Sequence, residues 1–168
     1  MKVTFKGKDY RLLADPVKVG EKMPDFAVIN KDKKDITTTD LLGKPTLISV
    51  VPNINTPVCS VQTKKFNQDV NQDVDQFDNV NFLTISTNTV EDQQKWCAAE
   101  GVKKMQLVAD NKREFGKATG LLISDLDILA RSVFVLDQDG KIVYREIVDE
   151  ITNEPNYEQA LAELKKLN

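Results

Sequence analysis

The sequence predicts an α/β sandwich, and three observations predict it. The run Thr46-Leu47-Ile48-Ser49-Val50-Val51 is almost entirely apolar or β-branched, the composition of a strand buried on both faces. Two more apolar stretches, Val80 to Ser86 and Met105 to Ala109, follow it, each preceded by a segment of helical pattern. Parallel strands need such helical crossovers, because the chain must return to the starting end of the sheet before it can pair again. Finally, Asp137-Gln138-Asp139-Gly140 stands between two apolar stretches, and its Asp-Gly is a strong hairpin signal.

Taken in order, Val3 to Lys6 and Tyr10 to Leu13 alternate around Gly7-Lys8-Asp9, which predicts a short hairpin at a sheet edge. Asp25 to Asn30 and Asp35 to Thr38 form a second strand pair joined by the charged turn Lys31 to Lys34, and Gly43-Lys44-Pro45 breaks the chain before the buried strand. A helix is expected from Pro57 to about Val74. Its tandem Asn-Gln-Asp-Val, at 67 to 70 and 71 to 74, reads as an extension of a solvated helix end. At 100° per residue Phe66 and Val70 each fall within roughly 20° of Cys59, one to either side, and the three mark its inner face. Asn88, with Glu91 three residues on, opens a helix that runs to Glu100 and stops at Gly101. Lys112 to Thr119 is a short helix ended by Gly120. Ser132 to Leu136 and Lys141 to Val148 make the hairpin, and Tyr157 to Leu167 closes the chain as an amphipathic helix. Parallel strands with crossovers, then an antiparallel pair and a helix, describe a thioredoxin-like sandwich with an N-terminal β-hairpin extension. With 168 residues, one domain spanning 1–168 is expected, its hairpin within 1–15.

Composition narrows the function. Hydrophobic residues make up 40% and charged residues 29%, so a packed core is expected, and a net charge of −3 offers no basic field for nucleic acid or an anionic membrane. The first twenty residues hold no apolar stretch of signal-peptide length and no later segment suits a membrane span, so a cytoplasmic location is expected. Thiols there are normally reduced, which makes two cysteines a redox or metal device more readily than a structural disulfide; two buried free cysteines are the plainer alternative. The chain has no histidine. Cys-His and Ser-His catalysis and the common zinc sites are therefore excluded, since each needs an imidazole.

Cys59 has a distinctive address. Thr56 suits a helix N-cap and Pro57 the first helical position, where proline leaves no N–H unpaired. Cys59 is then third in the helix, where a thiolate could accept a backbone N–H and sit at the positive end of the helix dipole. The plainer reading is a small buried hydrophobe. Cys97, in a last helical turn, has the opposite dipole environment, so the pair divides into an attacking thiol and a later partner; a core residue beside Trp96 is the alternative. The spacing of the two excludes Cys-x-x-Cys. Arg131, at the entry to an apolar strand, reads most simply as an exposed edge arginine, but its planar guanidinium could also hold a thiolate and polarise a substrate oxygen. Lys64, Lys65 and the Lys31 to Lys34 turn are assigned to solvated faces.

The pattern Pro52-x-x-x-Thr56-x-x-Cys59 resembles the active-site motif of the peroxiredoxins. The flanks Thr56-Pro57-Val58-Cys59-Ser60, Phe66-Asn67, Trp96-Cys97-Ala98-Ala99-Glu100-Gly101 and Glu150-Ile151-Thr152-Asn153-Glu154-Pro155-Asn156-Tyr157 are similar to its thiol peroxidase branch, the atypical two-cysteine type. Asn53 and Asn55 depart from the Ser and Asp more usual there. The resemblance covers essentially the whole chain. It implies a peroxidatic Cys59, a resolving Cys97 in the same subunit, Thr56 and Arg131 as residues that activate Cys59 and the peroxide, and Pro52 as a shield. It also implies a hydroperoxide substrate, organic ones being preferred to hydrogen peroxide, thioredoxin as reductant, a homodimer, and no cofactor or metal. A non-catalytic redox switch on the same fold is the competing class.

Overall fold

The computed structural model describes residues 1–72, 79–100 and 106–167, apart from the side chains of 70–72 and 98–100. Its centre is strand β5 (Thr46–Val50), buried at all five positions, as the unbroken apolar run requires. Side chains alternate across it: Ile48 and Val50 enter one apolar core, Leu47 and, just beyond the strand, Val51 enter the other. β5 pairs in parallel with β6 (Asn81–Ser86), which pairs in parallel with β7 (Gln106–Ala109). On its other side β5 meets β10 (Ser132–Leu136) antiparallel, and β10 turns back into β11 (Ile142–Ile147). The strands β3 (Ala27–Ile29) and β4 (Asp35–Thr37) complete the mixed seven-stranded sheet, in the order β11-β10-β5-β6-β7-β3-β4.

Helices cover both faces. Phe66 of α1 (Pro57–Gln72), Trp96 of α2 (Val90–Glu100) and Ala160, Leu161 and Leu164 of α4 (Tyr157–Lys165) fill the core on the Leu47 side. Phe115 of α3 (Glu114–Thr119) packs on the Ile48 side, with Phe26 edge-on at 4.9 Å between ring centroids. Buried aromatic and aliphatic side chains of this kind each contribute about 1.5–3 kcal/mol relative to exposure. The layered thioredoxin-like plan is thus the one expected.

Several local expectations are corrected. The N-terminal hairpin, β1 (Lys2–Phe5) with β2 (Lys8–Arg11), pairs Phe5 with Lys8, so its turn is Lys6-Gly7 and not Gly7-Lys8-Asp9. Both turn residues have positive φ, 52° and 82°, the two-residue geometry that matches the twist of paired strands. This hairpin forms its own two-stranded sheet and does not extend an edge of the central one. It is tied instead to the segment after β11: Thr4 N–H donates to Asp149 O at 2.7 Å and Ile151 N–H to Thr4 O at 2.9 Å. Thr89, not Asn88, caps α2, its hydroxyl oxygen accepting the Asp92 N–H at 3.2 Å. A two-residue strand pair, β8 (Leu122–Ile123) with β9 (Ile128–Leu129), was too short to show in the sequence pattern. The expected helix end at Val74, the second Asn-Gln-Asp-Val copy beyond 72, the inner-face position of the Val70 side chain, the stop at Gly101 and the strand start at Met105 lie outside the described residues.

Candidate active site

In an open sheet, functional groups gather beyond the carboxyl ends of parallel strands. β5 ends at Val50 and delivers the loop 51–56, and α1 starts at Pro57 with Cys59 in its first turn. Cys59 is completely buried in the α1-side core, and neither cysteine is in a disulfide. Its sulfur accepts two hydrogen bonds, one from the Asn53 N–H at 3.4 Å and one from Nη2 of Arg131 at 3.1 Å. A backbone N–H does reach the sulfur, as the capping geometry predicted, but it comes from Asn53 and not from the cap position. Thr56 also behaves differently from the expectation. Its hydroxyl donates to Asn53 O at 2.8 Å, leaving the oxygen lone pairs for other donors.

Arg131 is 2% exposed, which overturns the reading of a solvated edge arginine. It stands between β9 and β10, and each of its three nitrogens donates: Nε to Ile151 O at 2.7 Å, Nη1 to Gln62 Oε1 at 2.8 Å, and Nη2 to Cys59. Gln62 is in turn fixed, its Nε2 donating to Ser49 Oγ of β5 at 2.8 Å. A planar guanidinium bound at three corners has one orientation, so Arg131 is aimed at the sulfur before any substrate arrives. Gln62 was missed in the sequence. The available signal was its spacing, three residues after Cys59 and therefore on the same side of α1.

The loop before Cys59 is held from the connection between β6 and α2. Asn88 Oδ1 accepts the Ile54 N–H at 2.7 Å, and Asn88 Nδ2 donates to Asn53 Oδ1 at 3.0 Å. Asn53 Oδ1 also accepts the Asn55 N–H at 3.0 Å. Asn53 therefore has a specific use in this chain: its side chain locks the loop that points its own N–H at Cys59. Pro52 is buried beside it.

Cys97 is half-buried in α2 and packs at the border of the same core as Cys59. The two helices are joined next to the cysteines, where Trp96 Nε1 donates to Ser60 Oγ at 3.2 Å. Lys64 and Lys65 are exposed, as expected, and Lys65 pairs with Asp69 at 3.0 Å.

Above Arg131 opens a cavity of about 340 Å³. Pro52, Thr56, Ile128 and Ile151 line it, and Phe5 and Lys6 of the N-terminal hairpin close one side. Glu150 fastens that side. Its carboxylate accepts the Gly7 N–H at 2.9 Å, the Thr152 hydroxyl at 2.7 Å, the Thr152 N–H at 2.9 Å and the Thr4 hydroxyl at 3.1 Å. These donors, the Gly7 N–H foremost, hold its pKa down to about 2.

The chain is similar to known proteins along nearly its whole length. The Redoxin family model matches residues 18–161. The thiol peroxidase of Bacillus subtilis (strain 168) is 43% identical over 166 residues, 98% of this chain and 97% of that protein. The thiol peroxidase of Listeria innocua is 46% identical over 165 residues, 98% of each. Among solved structures, a peroxiredoxin-like protein from Aquifex aeolicus superposes with a TM-score of 0.91 at 30% identity, over 99% of this chain and 97% of that one.

Proposed function

Because the chain belongs to the redoxin family, in its thiol peroxidase branch, we propose that it is a thioredoxin-dependent peroxidase that reduces hydroperoxides through Cys59. The observation that carries the reading is the Cys59 sulfur, held by Arg131 at 3.1 Å and the Asn53 N–H at 3.4 Å beneath a cavity lined by Thr56 and Pro52. Both groups on the sulfur are donors and suit a thiolate.

In the first step the Cys59 thiolate attacks the outer oxygen of R–O–O–H. An S–O bond forms, the O–O bond breaks, and the departing RO⁻ takes a proton to leave as alcohol, or as water where R is hydrogen. Cys59 becomes a sulfenic acid. Thr56, whose hydroxyl already donates to Asn53, presents lone pairs that accept the hydroperoxide O–H. Arg131 and the first-turn N–H groups, which have no acceptor within the helix, stabilise charge on the departing oxygen. Pro52 keeps water from the sulfur. Holding nucleophile and O–O bond in line accounts for the rest of the acceleration.

Cys97 then attacks the sulfenic sulfur, forming a disulfide and releasing water, and thioredoxin returns both thiols by disulfide exchange. A cytoplasmic homodimer is the setting carried over with this reading. The apolar wall of Phe5, Ile128 and Ile151 supports a preference for organic hydroperoxides. Among the described residues no helix is long and apolar enough to cross a membrane.

Turnover of cumene hydroperoxide coupled to thioredoxin oxidation tests the assignment. An enzyme continues while reductant lasts; a redox switch consumes about one equivalent and stops, and that result would reject the reading. A second expectation concerns the helices. A disulfide needs Cα atoms about 4.4–6.8 Å apart, whereas Cys59 is fully buried in an intact α1 and Cys97 belongs to α2. Oxidation is therefore expected to unwind α1 around Cys59, α2 around Cys97, or both, and to break the Trp96 to Ser60 bond. Amide hydrogen exchange should show lost protection there in the oxidised form; equal protection in both forms contradicts it.

A further inference from the structure

The cavity above Arg131 has a charge distribution that the peroxide chemistry does not use. Of its lining residues two are cations, Arg131 at the floor and Lys6 at the hairpin side, and none is a carboxylate, in a chain with 26 Asp and Glu against 23 Lys and Arg. The charge of Arg131 faces the Cys59 sulfur. Lys6 has no such counterpart. Among the described residues no carboxylate lies within ion-pairing distance of its ammonium, which rests over the Phe5 ring at 5.5 Å from the centroid. Glu150, which binds the next residue of the turn, is not available. Its two oxygens already accept four hydrogen bonds, from Gly7, Thr4 and twice from Thr152, which occupies the roughly four lone-pair sites of a carboxylate.

The placement of Lys6 is fixed by the fold. It occupies the first turn position of the hairpin with φ 52°, a left-handed conformation uncommon for a non-glycine residue. The turn is tied down on its other side through the Gly7 N–H to Glu150, and the strand before it through Thr4 to Asp149 and Ile151. The lysine side chain therefore stands at the rim of an apolar wall made by Phe5, Ile128 and Ile151, whose carbonyl and neighbours orient Arg131.

The geometry points to an amphipathic, anionic substrate: an alkyl hydroperoxide whose carbon chain lies along Phe5, Ile128 and Ile151 and whose carboxylate, remote from the O–O bond, pairs with the Lys6 ammonium. The inference rests on the peroxidase reading and names Lys6 as the residue that selects acid over neutral hydroperoxide. A volume of about 340 Å³ is within the range of small-molecule pockets, about 300–1,000 Å³. The pairing adds substrate affinity without touching the reacting oxygens, so it acts on KM and leaves the chemical step to Arg131 and Thr56.

The test uses a water-soluble hydroperoxy fatty acid and its methyl ester in the thioredoxin-coupled assay. The readout is the ratio of kcat/KM for acid to ester within each protein. The intact protein is expected to favour the acid by about fivefold at low salt, the size of a good exposed ion pair, and the preference shrinks as ionic strength rises. Lys6→Gln removes the charge and keeps a flexible polar side chain one bond shorter, and it brings the ratio to about one; Lys6→Arg retains the preference; Lys6→Glu inverts it. Equal rates for acid and ester in the intact protein, or a preference that survives Lys6→Gln, overturns the inference. Absence of turnover with the acid, the ester and cumene hydroperoxide alike refutes the peroxidase reading itself and is thereby a different result.

Discussion

Exchanging Cys59 for serine is expected to lower peroxide turnover by about 10³-fold or more, while the same exchange at Cys97 leaves one fast turnover and then none. The difference follows from where each thiol lies. Cys59 Sγ is the atom on which Arg131 and the Asn53 N–H converge. A serine oxygen accepts the same two bonds, but at pH 7 it is an alcohol with no accessible anion, so the folded site is kept and the attack is lost. Cys97 contributes only after the O–O bond has broken. In Cys97→Ser the first equivalent of hydroperoxide is consumed at the rate of the intact protein, and the sulfenic acid then waits for an external thiol or oxidises further. Rapid-mixing measurement of the first equivalent, followed by a sulfenic-acid trap and intact-mass analysis, distinguishes the two variants. If Cys59→Ser retains catalysis or Cys97→Ser loses the first equivalent, the division of roles is wrong. The hydrogen bond from Trp96 to Ser60 supplies an independent signal, because indole fluorescence should respond when the helices part.

The parts of the site that could be read in the sequence are those written in short spacing. Pro52, Thr56 and Cys59 fall within one loop and one helical turn, so the rules for helix starts place them without knowledge of the fold. Strand β5 was equally legible, because burial on both faces leaves no room for polar alternation. Arg131 was not. Its local context, an arginine opening an apolar strand, is shared by many solvated side chains, and its burial depends on meeting Gln62 from α1 and the Ile151 carbonyl from the segment after β11. These contacts span long stretches of sequence and leave no local period. Asn88 was misread for a related reason: asparagine before an acidic residue is a good cap signal, but Thr89 takes the cap and frees Asn88 to reach the Pro52 loop. The hairpin turn falls one residue earlier than the alternation around Gly7-Lys8-Asp9 suggests, because Lys6 shares the positive φ with Gly7. That shift matters, since it moves Lys6 from the end of a strand to the rim of the cavity.

Arg131→Ala is expected to cost activity and stability together, and the two losses have different causes. The activity loss, about 10²–10³-fold in kcat/KM for any hydroperoxide, reflects removal of a pre-aimed donor from the reacting sulfur and the departing oxygen. The stability loss comes from what remains. Ile151 O, Gln62 Oε1 and the Cys59 sulfur all lose a donor, and Gln62 is itself fully buried. A buried acceptor without a partner costs about 1–3 kcal/mol. Relief of the buried cation and entry of water offset part of this, so a net loss of about 2–4 kcal/mol is expected. Arg131→Lys restores a positive charge but has no plane, so one ammonium cannot reach the carbonyl, the amide oxygen and the sulfur in three separate directions. It should recover stability more than activity. Gln62→Leu completes the series. It keeps the guanidinium but removes one of its three anchors, so activity should fall by about tenfold. Denaturant unfolding and coupled-assay kinetics on the three variants give the ranking: Gln62→Leu most active, Arg131→Ala least. If Arg131→Lys matches the intact protein in kcat/KM, charge alone is enough, and the planar, triply anchored fork has no catalytic purpose.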